Sequence, residues 1–162
     1  MSNLSPKEIE SLFERAKNGD VTVLKDPDVS EVINKCGETP LHYAALNFKK
    51  ALKHPDVSKV KNNLGATPLH NAATTFKKAL QHPDVSLARD NWNDTPLHWA
   101  ARHFKSALKH PDVSTVTNNK GETPLHYAAK VFKKTLQHPD ANKVKDSSGK
   151  TPLDYAIQKL IA

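Results

Sequence analysis

The 162-residue chain has little of several things that usually mark function or compartment. It has one cysteine, Cys36, so no disulfide can form within it, and a reducing, intracellular setting is expected. An intracellular protein exported into another (host) cell would carry the same signature. No apolar run approaches membrane-spanning length. The opening MSNLSPKEIE has no apolar leader segment, so a cytoplasmic location is the expectation. Gly-x-Ser-x-Gly, a phosphate-cradling glycine loop and Cys-x-x-Cys are all missing, and no catalytic residue is assigned. The expectation is a non-enzyme with no cofactor and no small-molecule substrate. Five glycines, one methionine and 6% aromatics leave few residues for irregular loops or large aromatic pockets. The hydrophobic fraction is 37% and the charged fraction 25%, in the range of folded soluble chains. Net charge is +7, which permits nucleic acid, an anionic membrane or an acidic protein as partner.

What is present is a beat of 28 residues. Thr39-Pro40-Leu41-His42 returns at 67, 95 and 123, and as Thr151-Pro152-Leu153-Asp154. His54-Pro55-Asp56 returns at 82, 110 and 138. A period of this size signals a stacked array of small units, which offers an extended binding surface more often than a catalytic pocket. Counting Pro27, ten of the eleven prolines fall in the two motifs, and four of the five glycines stand two residues before Thr-Pro.

Thr-Pro reads as a helix start. Threonine caps the free amides, and proline suits the first helical position because it has no amide hydrogen to satisfy. Leu41, Ala44 and Ala45 then share one helical face. His-Pro reads as a helix stop, since the residue before proline is pushed out of helical geometry. Gly37 and its equivalents suit a turn with positive φ, and Asn93 tolerates the same geometry. The Val-Ser-x-Val stretch reads as an extended run into the next turn. One step upstream, Phe13 aligns with Leu41, and Asp26-Pro27-Asp28 with His54-Pro55-Asp56. The expected organisation is one array, 1–162. Its units are a polar N-terminal cap at 5–38, internal repeats at 39–66, 67–94, 95–122 and 123–150, and a truncated C-terminal capping helix at 151–162.

Gly37-Glu38-Thr39-Pro40-Leu41-His42-Tyr43-Ala44-Ala45, with close copies at 65, 93 and 121, resembles the ankyrin repeat. The resemblance covers roughly residues 5–162 and implies an all-α, ankyrin-like helical repeat solenoid. The pitch differs: ankyrin repeats run about 33 residues. The five missing residues fall between Ala-Ala and Phe-Lys-Lys-Ala-Leu. One reading keeps a short second helix at 48–53 after a tight turn near Asn47, with extended turn or finger connections. The other fuses both helices into one, roughly 40–53, which the spacing of Leu41, Ala45, Phe48 and Leu52 also suits. Asn18-Gly19, a turn signal aligned with Leu46-Asn47, favours two helices.

Eight of the nine histidines form two ladders at the repeat pitch. Stacked helices lie about 8–10 Å apart, too far for ladder neighbours to share one ion, so no metal is assigned. The resemblance implies that His42, His70, His98 and His126 bond the backbone and tie units together. It also implies that Tyr43, Asn71, Trp99, Tyr127 and Tyr155 are framework. His-Pro-Asp also marks chaperone J-domains, but there it stands once, between two long helices.

In ankyrin-like arrays partners contact the turn tips and the exposed end of the first helix. Carried over by motif position, the candidate partner-binding residues are Lys35, Glu38, Leu64, Asn91, Trp92, Asp94, Thr75, Arg102, His103, Lys120, Glu122 and Lys130. Trp92 is the leading anchor, because exposed tryptophan is a favoured hot spot. The expected function is a protein-binding scaffold whose partner is unidentified. A competing surface is a convex basic stripe of Lys49, Lys50, Lys53, Lys77, Lys78, Lys105, Lys109, Lys133 and Lys134. It would suit nucleic acid or anionic membrane, although it lacks the arginines and outward aromatics that favour base contacts. An engineered or purely structural scaffold would show the same regularity.

Overall fold

The computed structural model describes residues 4–161, so residues 1–3 and 162 of the expected array lie outside the described residues. The fold is all-helical: α1 (Pro6–Lys17), α2 (Pro40–Asn47), α3 (Pro68–Thr75), α4 (Pro96–His103), α5 (Pro124–Ala129) and α6 (Pro152–Ile161). Short 3₁₀ turns lie between them, and no strand occurs among the described residues. Each α-helix packs on the next in chain order, from α1·α2 to α5·α6.

Helices α2 to α6 each begin at the proline of the Thr-Pro step. The first amides that a helix leaves unpaired need acceptors. The N–H of Leu69 finds the carbonyl of Val57 at 2.7 Å, and Leu97 finds Val85 at 2.8 Å. These two helix starts are thereby tied to the preceding unit, as is α6 through Leu153 N–H and the carbonyl of Ala141 at 2.8 Å. The core follows the pitch: Leu41, Leu69, Leu97 and Leu125 are fully buried, as are the alanine pairs that let neighbouring helices approach.

The fused-helix alternative does not hold. The chain leaves helical geometry at Phe48 (φ −128°, ψ 117°), and likewise at Phe76, Phe104 and Phe132. An extended residue at this place turns the ring of Phe48 inward against the buried cluster. The five residues that follow form a 3₁₀ turn, Lys49–Lys53, and the same happens at Lys77–Gln81, Lys105–Lys109 and Lys133–Gln137. At five residues each piece is too short for an α-helix of several turns and sits at the upper end of the short lengths in which the 3₁₀ form is used.

The Val-Ser stretch is not extended either. Val57 N–H reaches the carbonyl of His54 at 3.1 Å and Lys59 that of Asp56 at 3.0 Å, so this segment turns. In the first and fourth units it is 3₁₀, Pro27–Ser30 and Pro111–Ser114. The cause is local. The N–H of Asp56 donates to His54 Nδ1, at 3.2 Å, and His82, His110 and His138 act alike. In the first unit Asp26 Oδ1 accepts from the N–H of Asp28 at 3.2 Å, so aspartate replaces histidine with the same bond. The aspartate of the motif serves the unit before it. Ser30, Ser58, Ser86 and Ser114 donate their hydroxyls to Asp56, Asp84, Asp112 and Asp140 at 2.5–2.9 Å.

Candidate functional site

The turn tips are shaped by a ladder that the motif reading missed: Asn34, Asn62, Asp90, Asn118 and Asp146. Each Oδ1 accepts backbone N–H groups two and four residues on; Asn62 takes Leu64 and Ala66 at 3.0 Å, and Asp90 takes Trp92 and Asp94 at 2.9 Å. The signal was available as an Asx residue five positions before each motif threonine, a turn-forming type with a known mechanism. The tips are also strung together. The N–H of Asn63 bonds the carbonyl of Cys36 (2.9 Å), Asn91 that of Leu64 (3.0 Å) and Asn119 that of Trp92 (3.0 Å). Gly37 and Gly65 allow this approach. They sit at φ +72° and +73°, and a Cβ there would lie 2.9 Å and 2.7 Å from the backbone nitrogens of Asn63 and Asn91.

Behind the tips stands the histidine ladder. The backbone N–H of Thr39 donates to His42 Nδ1 at 3.0 Å, so that nitrogen carries no proton. The tautomer is therefore fixed, and Nε2–H donates to the carbonyl of Ala66 at 3.1 Å. His70, His98 and His126 repeat both bonds, onto the carbonyls of Asp94, Glu122 and Lys150. Asp154 keeps the acceptor half alone, taking the N–H of Thr151 at 2.8 Å. Burial holds all four histidines below the ordinary imidazole range, His70 and His98 at about 4.

The residue after each histidine packs between units. Trp99 stands edge-on to His70 with ring centroids 5.2 Å apart, Tyr127 to His98 at 5.3 Å and Tyr155 to His126 at 6.0 Å. Their polar ends meet the Asx ladder and its neighbours. The Tyr43 hydroxyl donates to Glu38 (2.6 Å), Trp99 Nε1–H to Asp90 (3.3 Å), Tyr127 to Asp94 (2.7 Å) and Tyr155 to Asp146 (2.7 Å). Asn71 instead donates to the carbonyl of His42 at 3.1 Å.

The candidate partner-binding residues divide by burial. Lys35, Leu64, Asn91, Trp92, Thr75, Arg102, His103, Lys120 and Lys130 are exposed; Leu64 and Trp92 keep 52% and 51% of their surface. Glu38 is half-buried under Tyr43. Asp94 and Glu122 are not tip residues. Both are buried, Asp94 bonded to Tyr127 and Asn118, Glu122 paired with Lys130. Their carbonyls receive the histidine bonds, which turns this position inward. Trp92, Asp94, Arg102 and Lys120 come together in a cleft of about 340 Å³, with Trp99 and Tyr127 in its wall. Lys35, Glu38, Leu64, Asn91, Thr75, His103, Glu122 and Lys130 do not line it.

All nine lysines of the basic stripe are exposed, and none forms an ion pair among the described residues. Grooves of about 410 and 510 Å³ run between successive 3₁₀ turns, lined among others by Lys49, Lys50, Lys53, Lys77, Lys78 and Lys109. Among the described residues no group of three or more His, Cys, Asp or Glu side chains is arranged to hold a metal ion. No helix among them is long and apolar enough to cross a membrane. Cys36 is exposed and unpaired with another cysteine.

The chain thus presents an all-helical fold with a row of linked tips. No protein-family model matches it, and a comparison with curated proteins finds no match. Among solved structures 583 chains match, so the architecture is a common one and does not by itself point to a function. One match is to the structure of the Bd0816 predatory endopeptidase from Bdellovibrio bacteriovorus in complex with immunity protein Bd3460. The similarity has a TM-score of 0.63 at 24% identity, over 94% of this chain and 93% of that chain. At that identity it concerns the fold alone.

Proposed function

We propose that the chain is an ankyrin-like repeat solenoid, with a compact 28-residue unit, that binds a partner protein through its turn tips and first-helix ends. One observation carries this reading. The polar residues of the Thr-Pro-Leu-His and His-Pro-Asp motifs are spent on internal bonds, whereas the tip residues that change from unit to unit stay exposed. Lys35, Leu64, Trp92 and Lys120 are the clearest cases. The serine–aspartate staples, the histidine bonds and the Asx turns use the repeated polar groups. What is left free on the tips is variable in size and charge, as a recognition surface requires. The solved structure with a similar fold is of a complex between two proteins, which agrees with a protein partner. The role is that of a scaffold, without chemistry of its own, in an intracellular compartment.

Affinity purification with wild type, Trp92→Ala and a Lys77→Ala/Lys78→Ala variant tests the reading. A protein retained by wild type and by the lysine variant, and lost with Trp92→Ala, supports it. Retention that depends on the lysines and not on Trp92 overturns it.

The second reading, an electrostatic binder of nucleic acid or anionic membrane, is favoured by the nine exposed lysines, which form no ion pair among the described residues, and the grooves between them. Such binding weakens steeply with salt, because bound counterions are released. No retention on DNA, RNA or anionic vesicles at low salt would end it.

A further inference from the structure

The cleft beside Trp92 has chemistry specific enough to name what it takes. Its deep part holds two carboxylates, Asp90 and Asp94, each only 7% exposed. Both are already satisfied by uncharged donors. Asp90 accepts from the backbone N–H of Trp92 and Asp94 and from Trp99 Nε1–H. Asp94 accepts from Asn118 Nδ2–H and the Tyr127 hydroxyl, both at 2.7 Å. These bonds hold both carboxylates in the wall, each oxygen accepting at least one.

The open rim is the reverse. The Arg102 guanidinium lies 4.3 Å from the centroid of the Tyr127 ring, stacked and so held in place. Neither that guanidinium nor Lys120 Nζ has a hydrogen-bond or ion-pair partner among the described residues. Arginine offers its donors as a rigid fork that matches a carboxylate, and stacking on an aromatic ring pre-orders it. Beside them stands Trp92, with half its surface free. An entering group meets two unpaired cations and an indole face before it meets the buried acids.

We propose that this cleft binds an aspartate or glutamate side chain of the partner protein's docking segment, gripped by Arg102 and Lys120, with an apolar neighbour of that residue on Trp92. The net charge of +7 favours the approach of such an acidic segment. The proposal rests on the protein-binding reading above and deepens it.

Panning a random linear-peptide phage library against the full chain tests it. Each selected peptide is then measured by calorimetry against wild type, Trp92→Ala, Arg102→Ala, Arg102→Lys, Lys120→Ala and Lys134→Ala. The expected peptides share an acidic residue beside an apolar one. Arg102→Ala weakens them at least tenfold. Arg102→Lys, which keeps the charge and loses the fork, weakens them severalfold, and Lys134→Ala changes them less than twofold. Peptides that need Trp92 yet carry no acidic residue, or are enriched in arginine or lysine, overturn the proposal and leave the protein-binding reading standing. So do acidic peptides indifferent to both Arg102→Ala and Lys120→Ala. If no peptide is selected, both fall.

Discussion

Lowering the pH from 7 to 5 will weaken the fold through the buried histidine ladder before the carboxylates matter. His70 and His98 are held neutral at about 4, first by burial, against about 6.5 in the unfolded chain. The unfolded chain therefore binds more protons between those values. The stabilisation is fully present above about pH 6.5 and is lost as pH falls toward 4. At pH 5 the loss comes to about 2 kcal/mol for each of the two, or about 4 kcal/mol together. The geometry gives the same sign. Protonating Nδ1 would set a second N–H against the backbone N–H of Thr67 or Thr95 that it now accepts, at 3.1 and 3.0 Å. His42 and His126 shift in the same direction for the same cause. Asp90, raised by burial, works the other way, since protonating it relieves a buried charge. Asp20, held at about 2 first by its bond to Arg15, loses its contribution only near and below pH 4. Urea titrations at pH 7, 6 and 5 read the effect. With a slope of about 2–3 kcal/mol per molar urea, the midpoint falls by about 1–2 M. A His70→Gln/His98→Gln variant keeps donor and acceptor groups without the titration and flattens the dependence. A wild-type midpoint unchanged from pH 7 to 5, or a variant that falls equally, would refute the reasoning.

Four further outcomes can be checked by denaturation. Leu97→Ala, at a fully buried position, costs about 2–5 kcal/mol. Gly65→Ala is costlier than Gly149→Ala: both have positive φ, but only at Gly65 would a Cβ meet the next unit, 2.7 Å from the nitrogen of Asn91. The strain of φ alone is about 1 kcal/mol or more, so equal costs would mean that the tips do not touch as described. Ser86→Ala removes the 2.7 Å bond to Asp112 and lowers stability by about 0.5–1.5 kcal/mol. Thr135→Val raises stability by about 1 kcal/mol, because Thr135 Oγ1 is buried without a partner where other units have Ala51, Ala79 and Ala107.

Helix starts were legible because the proline of Thr-Pro acts locally, its ring setting the first helical φ and leaving no amide to satisfy, whereas the next amides are met by the preceding unit, as Leu69 is by Val57. The pitch also identified the inward leucines and alanines, since each unit solves the same packing problem. The second helix was less legible. Whether residues 48–53 continue or restart a helix depends on where the Phe48 ring finds its core, and the spacing suited both outcomes. The Val-Ser stretch read as extended because the turn depends on an imidazole accepting a bond two residues on. Asp94 and Glu122 looked like tip residues by position. Only the fold shows that their carbonyls face the buried His70 and His98, 24 residues earlier in the chain. The Asx ladder was present in the sequence but hidden, because asparagine (Asn34, Asn62, Asn118) and aspartate (Asp90, Asp146) both occur in it and share the accepting oxygen.

The proposed partner meets one of two faces, the turn tips or the lysine stripe. Photo-crosslinking groups placed singly at Lys35, Trp92 and Lys78, followed by mass spectrometry after irradiation in the native cell, measure this directly. The prediction is a discrete protein adduct from positions 35 and 92 and none from 78. Adducts confined to position 78, or nucleic acid or lipid captured there with nothing at the tips, would contradict it.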